Sequence, residues 1–138
     1  MWKFYALLSA FFAALTAIFA KLGVKDIDSD LATAIRTTVV LGLTWLIVMF
    51  GGKMQSLKTI GAPTWTFLIL SGIATGLSWL FYFKALQIGE ASKVAPLDKL
   101  SVVFTIILAV IILKEQLTLK IAFGALLITA GAIVLMWK

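Results

Sequence analysis

Four charged residues lie inside otherwise apolar runs, and they are the strongest candidates for chemistry in this sequence. They are Arg36, Lys84, Asp98 and Lys99. A charge within a hydrophobic span is costly, so such residues usually face protein or water and mark paths for ions or solutes. A structural interpretation stays open beside the functional one. In it Arg36 pairs with Asp98, and the two lysines extend their charged ends to the interface.

Two residue types that serve most enzymes are missing from the chain. It contains no Cys and no His. The first absence excludes disulfides, thiolate metal sites and a Cys nucleophile, and the second removes the usual general base and the commonest metal ligand. No acid–base pair or activated nucleophile is evident either. The sequence therefore predicts no enzyme, with no catalytic residue, no metal site and no cofactor.

Polar and aromatic side chains recur at helical spacing in four segments. One face carries Asp98, Ser101 and Thr105 at i, i+3 and i+7, and another carries Trp79 and Tyr82. Converging faces of this kind would line a pathway, although Ser and Thr can also bond their own helix backbone. The predicted substrate pathway consists of Arg36, Thr37, Trp79, Tyr82, Lys84, Asp98, Lys99, Ser101 and Thr105.

Proline and glycine mark two further features. Pro96 is predicted to break or bend its helix close to Asp98, because proline removes a backbone donor and its ring clashes with the preceding turn. Gly72 and Gly76 form a small-xxx-small pair, and Gly124 and Gly131 lie in the last apolar segment. Small residues let helices approach closely in lipid, so we interpret these glycines as helix-packing positions.

The elements that must position these residues are long and apolar. Of the 138 residues, 62% are hydrophobic and 13% charged, against roughly 45–50% and about 25% in soluble domains. Spans of about 20 residues cross a bilayer as helices, whereas barrel strands alternate over about 10 residues. The sequence predicts an all-α membrane protein, a single domain over 1–138. Its five transmembrane helices are predicted at 4–22, 31–50, 64–85, 92–113 and 119–137, with Ser29 or Asp30 capping the second.

The basic residues give little information on orientation. The net charge is +6, and the cations lie singly between apolar runs, which favours lipid headgroups over nucleic acid as their partner. With five spans, five cations fall on the N-terminal side and seven on the other. Leaving out Arg36, Lys84 and Lys99, which lie within helices, gives five against four. The positive-inside rule needs a clear asymmetry, so the sequence predicts weakly specified orientation.

Several stretches resemble the EamA domain of the drug/metabolite transporter superfamily. They begin at Gly76-Leu-Ser-Trp-Leu-Phe-Tyr-Phe-Lys-Ala-Leu and continue through Gly89–Ser101, Leu113–Thr118 and Gly124–Gly131. The position of Arg36 near the start of the second helix also fits. The family often has Gly where this chain has Lys114, before Glu115. The resemblance implies one five-helix repeat of a fold that usually contains two inverted repeats.

The resemblance also implies a function. We expect a transporter subunit that moves a small metabolite or drug-like solute by alternating access as an antiparallel homodimer. It should lie in the cell (inner) membrane of a prokaryote, with the lipid bilayer, the solute and its own second copy as partners. The alternative is a non-transporting accessory or assembly protein. The first helix lacks the Glu of the superfamily's small multidrug exporters, so proton-coupled export by that mechanism is not expected.

Overall fold

The computed structural model describes residues 1–137, and all regular structure in that part of the chain is helical. The helices are α1 (Trp2–Gly23), α2 (Ser29–Phe50), α3 (Ala62–Ile88), α4 (Ala91–Asp98), α5 (Ser101–Ile112) and α6 (Leu119–Met136). Five spans, with α4 and α5 counted together, are long and apolar enough to cross a membrane. The prediction of an all-α membrane protein is confirmed.

The helix boundaries differ from the predicted ones mainly at the ends. The first three spans are longer than predicted, because amphipathic residues at the interface can continue a helix beyond its apolar core. The fourth span consists of two helices, α4 and α5, separated by a turn at Lys99 and Leu100. A 3-10 helix, Lys53–Thr59, occupies the connection after α2, where the sequence indicated only a loop. Lys138, counted above among the cations, lies outside the described residues.

The start of α2 corrects one expectation. The capping side chain is that of Asp28, whose carboxylate accepts hydrogen bonds from the backbone N–H of Asp30 and of Leu31, at 2.9 and 3.2 Å. Ser29 and Asp30 are instead the first two helical residues. Ser29 is buried, and its carbonyl accepts a 2.8 Å hydrogen bond from the Thr33 hydroxyl. Three candidate caps in a row made the boundary ambiguous from sequence, since each could accept from the first turn.

The chain forms two compact units. The α2–α3 unit comprises Ala20–Gln87, and the α4–α6 unit comprises Met1–Phe19 together with Ile88–Lys138. In the α4–α6 unit, α6 packs against both α4 and α5. The single-domain organisation over 1–138 stays a prediction.

The end of the α2–α3 unit where α3 finishes is its best-packed part. Val24 and Leu86 are completely buried and Phe83 is 2% exposed. The Lys21 ammonium donates to the carbonyl of Leu86 at 2.6 Å, and the Gln87 amide donates to the carbonyl of Ile27 at 2.9 Å. The last carbonyls of a helix lack partners within the helix and carry partial negative charge, so the Lys21 cation is a suitable donor for the end of α3. The Gln87 amide connects the same end of α3 to the loop between α1 and α2.

Most of the spanning surface is left uncovered by the described part of the chain. At most 11% of the residues in any spanning window are buried. The exposed side chains are overwhelmingly large and apolar, which is the surface that lipid accepts and water does not. These faces are therefore available for lipid or for another membrane-embedded protein surface.

Candidate functional site

Arg36 lies against two aromatic rings of α3. Its guanidinium carbon is 4.0 Å from the centroid of the Trp79 ring and 5.4 Å from that of Phe83. Trp79 and Phe83 are separated by four residues, so they occupy one face of α3, one turn apart. Attraction to the ring faces stabilises the guanidinium where water is scarce. This contact places a cation inside a span, and neither ion pair found among the described residues involves it.

One donor of this guanidinium has no acceptor. Nη1 of Arg36 is buried, and no group in the described part of the chain accepts a hydrogen bond from it. A ring face attracts the positive charge of the guanidinium but does not replace an in-plane acceptor for each N–H. A buried donor without a partner costs about 1–3 kcal/mol, more when charged. Arg36 therefore contacts the aromatic rings while one of its hydrogen-bond donors remains without an acceptor among the described residues.

A groove between α2 and α3 begins beside this contact. Its volume is about 390 Å³, within the size range of small-molecule sites, roughly 300–1,000 Å³. Its wall is largely aliphatic with several hydroxyls, and its lining residues are Thr37, Val40, Leu41, Thr44, Leu68, Ser71, Gly72, Thr75, Gly76 and Trp79. Trp79 thus takes part both in the groove and in the contact with Arg36.

Three of the hydroxyls in this groove already donate hydrogen bonds to their own helices. Thr37 donates to the carbonyl of Thr33 at 2.7 Å, and Thr75 donates to that of Ser71 at 2.8 Å. Thr44 also donates back to its own helix, to Val40 at 2.9 Å. A hydroxyl has a single proton, so towards the groove these oxygens can only accept. The groove consequently offers acceptors to a ligand, and Arg36 is its adjacent charged donor.

The two glycines of α3 lie open on this groove. A Cβ built on Gly72 or Gly76 would meet no atom within 4 Å. The same is true of Gly124 and Gly131 in the α4–α6 unit. Among the residues that the structure describes, none of the four meets a neighbouring helix at this distance, so their role as packing positions stays a prediction.

The second group of predicted residues surrounds the interruption between α4 and α5. The N–H of Lys99 bonds the carbonyl of Pro96 at 3.1 Å, and that of Leu100 bonds Leu97 at 3.0 Å. These are i→i+3 bonds, which tighten the chain into a turn. Proline leaves the carbonyl one turn before it, that of Ser92, without its helical donor, so the first turn of α4 also has fewer helical bonds than usual.

Asp98 and Lys99 form an ion pair at this turn. The Lys99 ammonium is 3.6 Å from the Asp98 carboxylate, with the side chains 57% and 39% exposed respectively. Lys99 and Pro96 also line a groove of about 370 Å³ against α6, next to Gly131. The pathway residues Ser101 and Thr105 follow on α5, where the Thr105 hydroxyl donates to the carbonyl of Ser101 at 2.8 Å.

The predicted pathway residues therefore form two groups, one in each unit. Arg36, Thr37 and Trp79 come together between α2 and α3. Pro96, Asp98, Lys99, Ser101 and Thr105 follow one another from the end of α4 into α5. On α3, Tyr82 is half-buried with its ring edge-on to Phe83, and Lys84 is exposed. Sequence reasoning missed Phe83, although its spacing of four residues from Trp79 was a signal.

The pairing of Arg36 with Asp98 stays a prediction, because the two residues belong to different units. If an interaction between them of about 1.4 kcal/mol assists transport, Asp98→Asn should slow transport about tenfold. The amount of protein in the membrane should change little. Flux per molecule of reconstituted protein measures this, and Glu115→Gln, which removes a charge from the α5–α6 connection, is the matched control. Equal losses of flux and of expression would favour a purely structural pair.

Comparison with known proteins agrees with this architecture. The chain matches the EamA-like transporter family over residues 1–137. A Sinorhizobium protein described as an uncharacterized transporter in the cobO 3' region is 54% identical over 134 residues, which are 97% of this chain and 95% of that protein. The Bacillus subtilis uncharacterized transporter YvbV is 34% identical over 129 residues, which are 91% of this chain but 41% of that protein. No solved structure matches the chain.

The apolar spans and these similarities together define a multi-pass membrane transporter, with the lipid bilayer and a solute as its partners. The chain belongs to the EamA-like transporter family. The resemblance seen in the sequence is thereby confirmed, and the family and the relatives indicate a transporter rather than an enzyme.

Proposed function

We propose that this chain is one half of an alternating-access transporter for a small metabolite or drug-like solute, and that a second, inverted copy supplies the other half. The observation that carries the proposal is the difference in coverage between two relatives. The chain accounts for 41% of the Bacillus transporter, which leaves room there for a second segment of similar size. It accounts for 95% of the Sinorhizobium transporter, which has no such room.

Alternating access commonly uses two inverted repeats around a site near the midplane of the membrane. A repeat with an odd number of spans cannot form the inverted pair with a copy in the same orientation. A copy inserted upside down can, and the two-fold axis then makes identical patches meet. The open glycines of α3 and the uncovered spans provide apolar surface for such an interface.

The proposed pathway follows the two groups of polar residues described above. Arg36, Thr37, Trp79, Tyr82 and Lys84 would contribute from α2 and α3. Asp98, Lys99, Ser101 and Thr105 would contribute from the interrupted fourth span, since broken helices are frequent at transporter binding sites. The two relatives described above come from bacteria, which supports the inner membrane of a prokaryote as the location.

Single cysteines test the pathway directly, because the chain has no Cys of its own. We expect Cys at positions 79, 82, 101 and 105 to react with a water-soluble maleimide about tenfold faster than Cys at Phe81, since the nucleophile that attacks the maleimide is the thiolate, which forms in water. Phe81 is the matched control on α3, apolar and 75% exposed. Labelling is measured in proteoliposomes, together with uptake of a panel of metabolites.

Two results would contradict the proposal. Uniform protection at the four positions would indicate a closed packing core. Absence of flux across the panel, with the protein folded and labelled, would favour an accessory or assembly role.

A further inference from the structure

We propose that Arg36 binds the negatively charged group of the transported solute, so that the solute is a small organic anion with an uncharged body. This inference rests on the proposed transport function and names the substrate class of the same site. The anionic group would bond the in-plane N–H donors of Arg36. The body of the solute would lie along the groove between α2 and α3.

The charges of this part of the chain favour an anion. From Leu31 to Gln87 the sequence contains Arg36, Lys53, Lys58 and Lys84, and no Asp or Glu. A cationic solute entering the groove would therefore find no opposite charge from α3 or from α2 beyond its first residues. An anion would meet no like charge from this segment and would be attracted by Arg36, and low-dielectric walls strengthen this attraction.

The contact of Arg36 with Trp79 does not use up its hydrogen-bond donors. The guanidinium carbon is 4.0 Å from the centroid of the Trp79 ring, and a ring face attracts the charge without accepting in-plane hydrogen bonds from the fork. That fork matches the two oxygens of a carboxylate or a phosphonate, which Arg binds bidentately. Nη1 is buried and has no acceptor among the described residues. The guanidinium is thus held in place by the aromatic residues while part of its hydrogen-bonding capacity remains unused.

The groove limits where charge can be placed on the solute. The hydroxyls of Thr37, Thr44 and Thr75 donate to their own helix, so their oxygens would repel an anion. The described residues that line the groove carry no charge, and Arg36 offers a charged donor at its Trp79 end, through its contact with that ring. The solute therefore carries its anionic group at one end, and a body of aliphatic or aromatic character fits the remaining wall.

The unmet donor also connects binding to movement. Nη1 is covered in this conformation, so an anion can bond it only if the surrounding groups move. A ligand shifts a conformational equilibrium by its difference in affinity for the two states. A conformation that exposes Nη1 to the anion gains this bond, and binding would therefore favour it. A neutral analogue of the same shape gains much less.

The test uses two probes that differ only in charge, cyclohexanecarboxylate and cyclohexanecarboxamide. Neither absorbs where tryptophan is excited, so binding to protein in phosphatidylcholine nanodiscs can be followed by Trp fluorescence and by thermal shift. We expect the carboxylate to bind about tenfold or more tightly than the amide. Arg36→Gln should remove this preference. Arg36→Lys should keep a reduced part of it, because the charge remains while the bidentate fork is lost.

Lys58→Gln is the matched control, since it removes one positive charge from an exposed position in the 3-10 helix, away from the groove. It should retain the full preference. Equal binding of the two probes to the native protein would overturn the proposal, and this outcome does not depend on any variant folding. Retention of the preference in folded Arg36→Gln would overturn it as well.

Two further measurements separate this inference from others. Weakening of carboxylate binding by added phosphatidylglycerol would assign Arg36 to a lipid headgroup and overturn its role in solute binding. If the protein takes up only neutral or cationic solutes into proteoliposomes, the proposed transport function is supported and the anionic substrate is contradicted. If the carboxylate binds in an Arg36-dependent way but no anion is transported, the anion-binding site is supported and the proposed transport function is contradicted.

Discussion

Adding two lysines to the connections on the N-terminal side, by Gln55→Lys with Gln116→Lys, is expected to reduce transport about tenfold. Each cation near the membrane surface contributes about 1 kcal/mol, so two would bias a balanced population by about 2 kcal/mol, a ratio of roughly 30 to 1. Few copies would then remain in the minority orientation, and few antiparallel pairs could form.

The complementary variant provides the decisive comparison. Asp26→Lys with Ser92→Lys adds cations to the opposite side and should also reduce transport when expressed alone. Expressed together, the two variants should restore it, because each supplies the orientation that the other lacks. Gln55→Asn with Gln116→Asn is the neutral control and should transport normally. Labelling of a C-terminal tag exclusively from one side of native membranes would rule out the inverted homodimer.

Leu86→Ala is expected to destabilise the protein by about 2–4 kcal/mol, the usual range for removing a large aliphatic side chain from a packed interior. Leu86 is completely buried, as is Val24, at the best-packed end of the α2–α3 unit. Its carbonyl also accepts the hydrogen bond from Lys21. The substitution would therefore weaken the part of the unit that connects the end of α1 to the end of α3.

Ile88→Ala is the matched control for this experiment. Ile88 lies two residues further along α3 and is 81% exposed. Its truncation should change stability by no more than about 0.5 kcal/mol. Reversible unfolding in mixed micelles, followed by Trp fluorescence, measures both variants. If the two variants lose similar amounts of unfolding free energy, a surface outside the chain buries Ile88. The difference in burial within this chain then does not determine the stability contributed by the two positions.

The spans were predictable because the force that determines them acts on each segment separately. A run of about 20 apolar residues must satisfy its backbone internally in lipid, so length and composition alone give a helix. All five spans were found in this way, with differences of at most three residues at their ends. The family was also recognisable, since its motifs from Gly76 to Gly131 are local in the chain.

The contacts at the candidate site were predictable only in part. Trp79 and Arg36 were singled out because a charge and a large aromatic residue within apolar helices are unusual. Their stacking, the participation of Phe83 and the unmet donor of Arg36 were not indicated. These features depend on the relative depth and rotation of α2 and α3, about which the residue types in either helix carry no direct information.

The fourth span shows the same division between sequence and structure. Pro96 indicated a disturbed helix. The position of the turn at Lys99 and Leu100, however, depends on where the backbone changes from helical hydrogen bonds to i→i+3 hydrogen bonds, which the sequence did not indicate. By itself the sequence determined that this chain has five helices long and apolar enough to cross a membrane and that it belongs with transporters, because hydrophobic length and family motifs are properties of single segments. Only the tertiary structure decided which side chains share a groove and which donor is left without an acceptor, because contacts across helices depend on packing between distant parts of the chain.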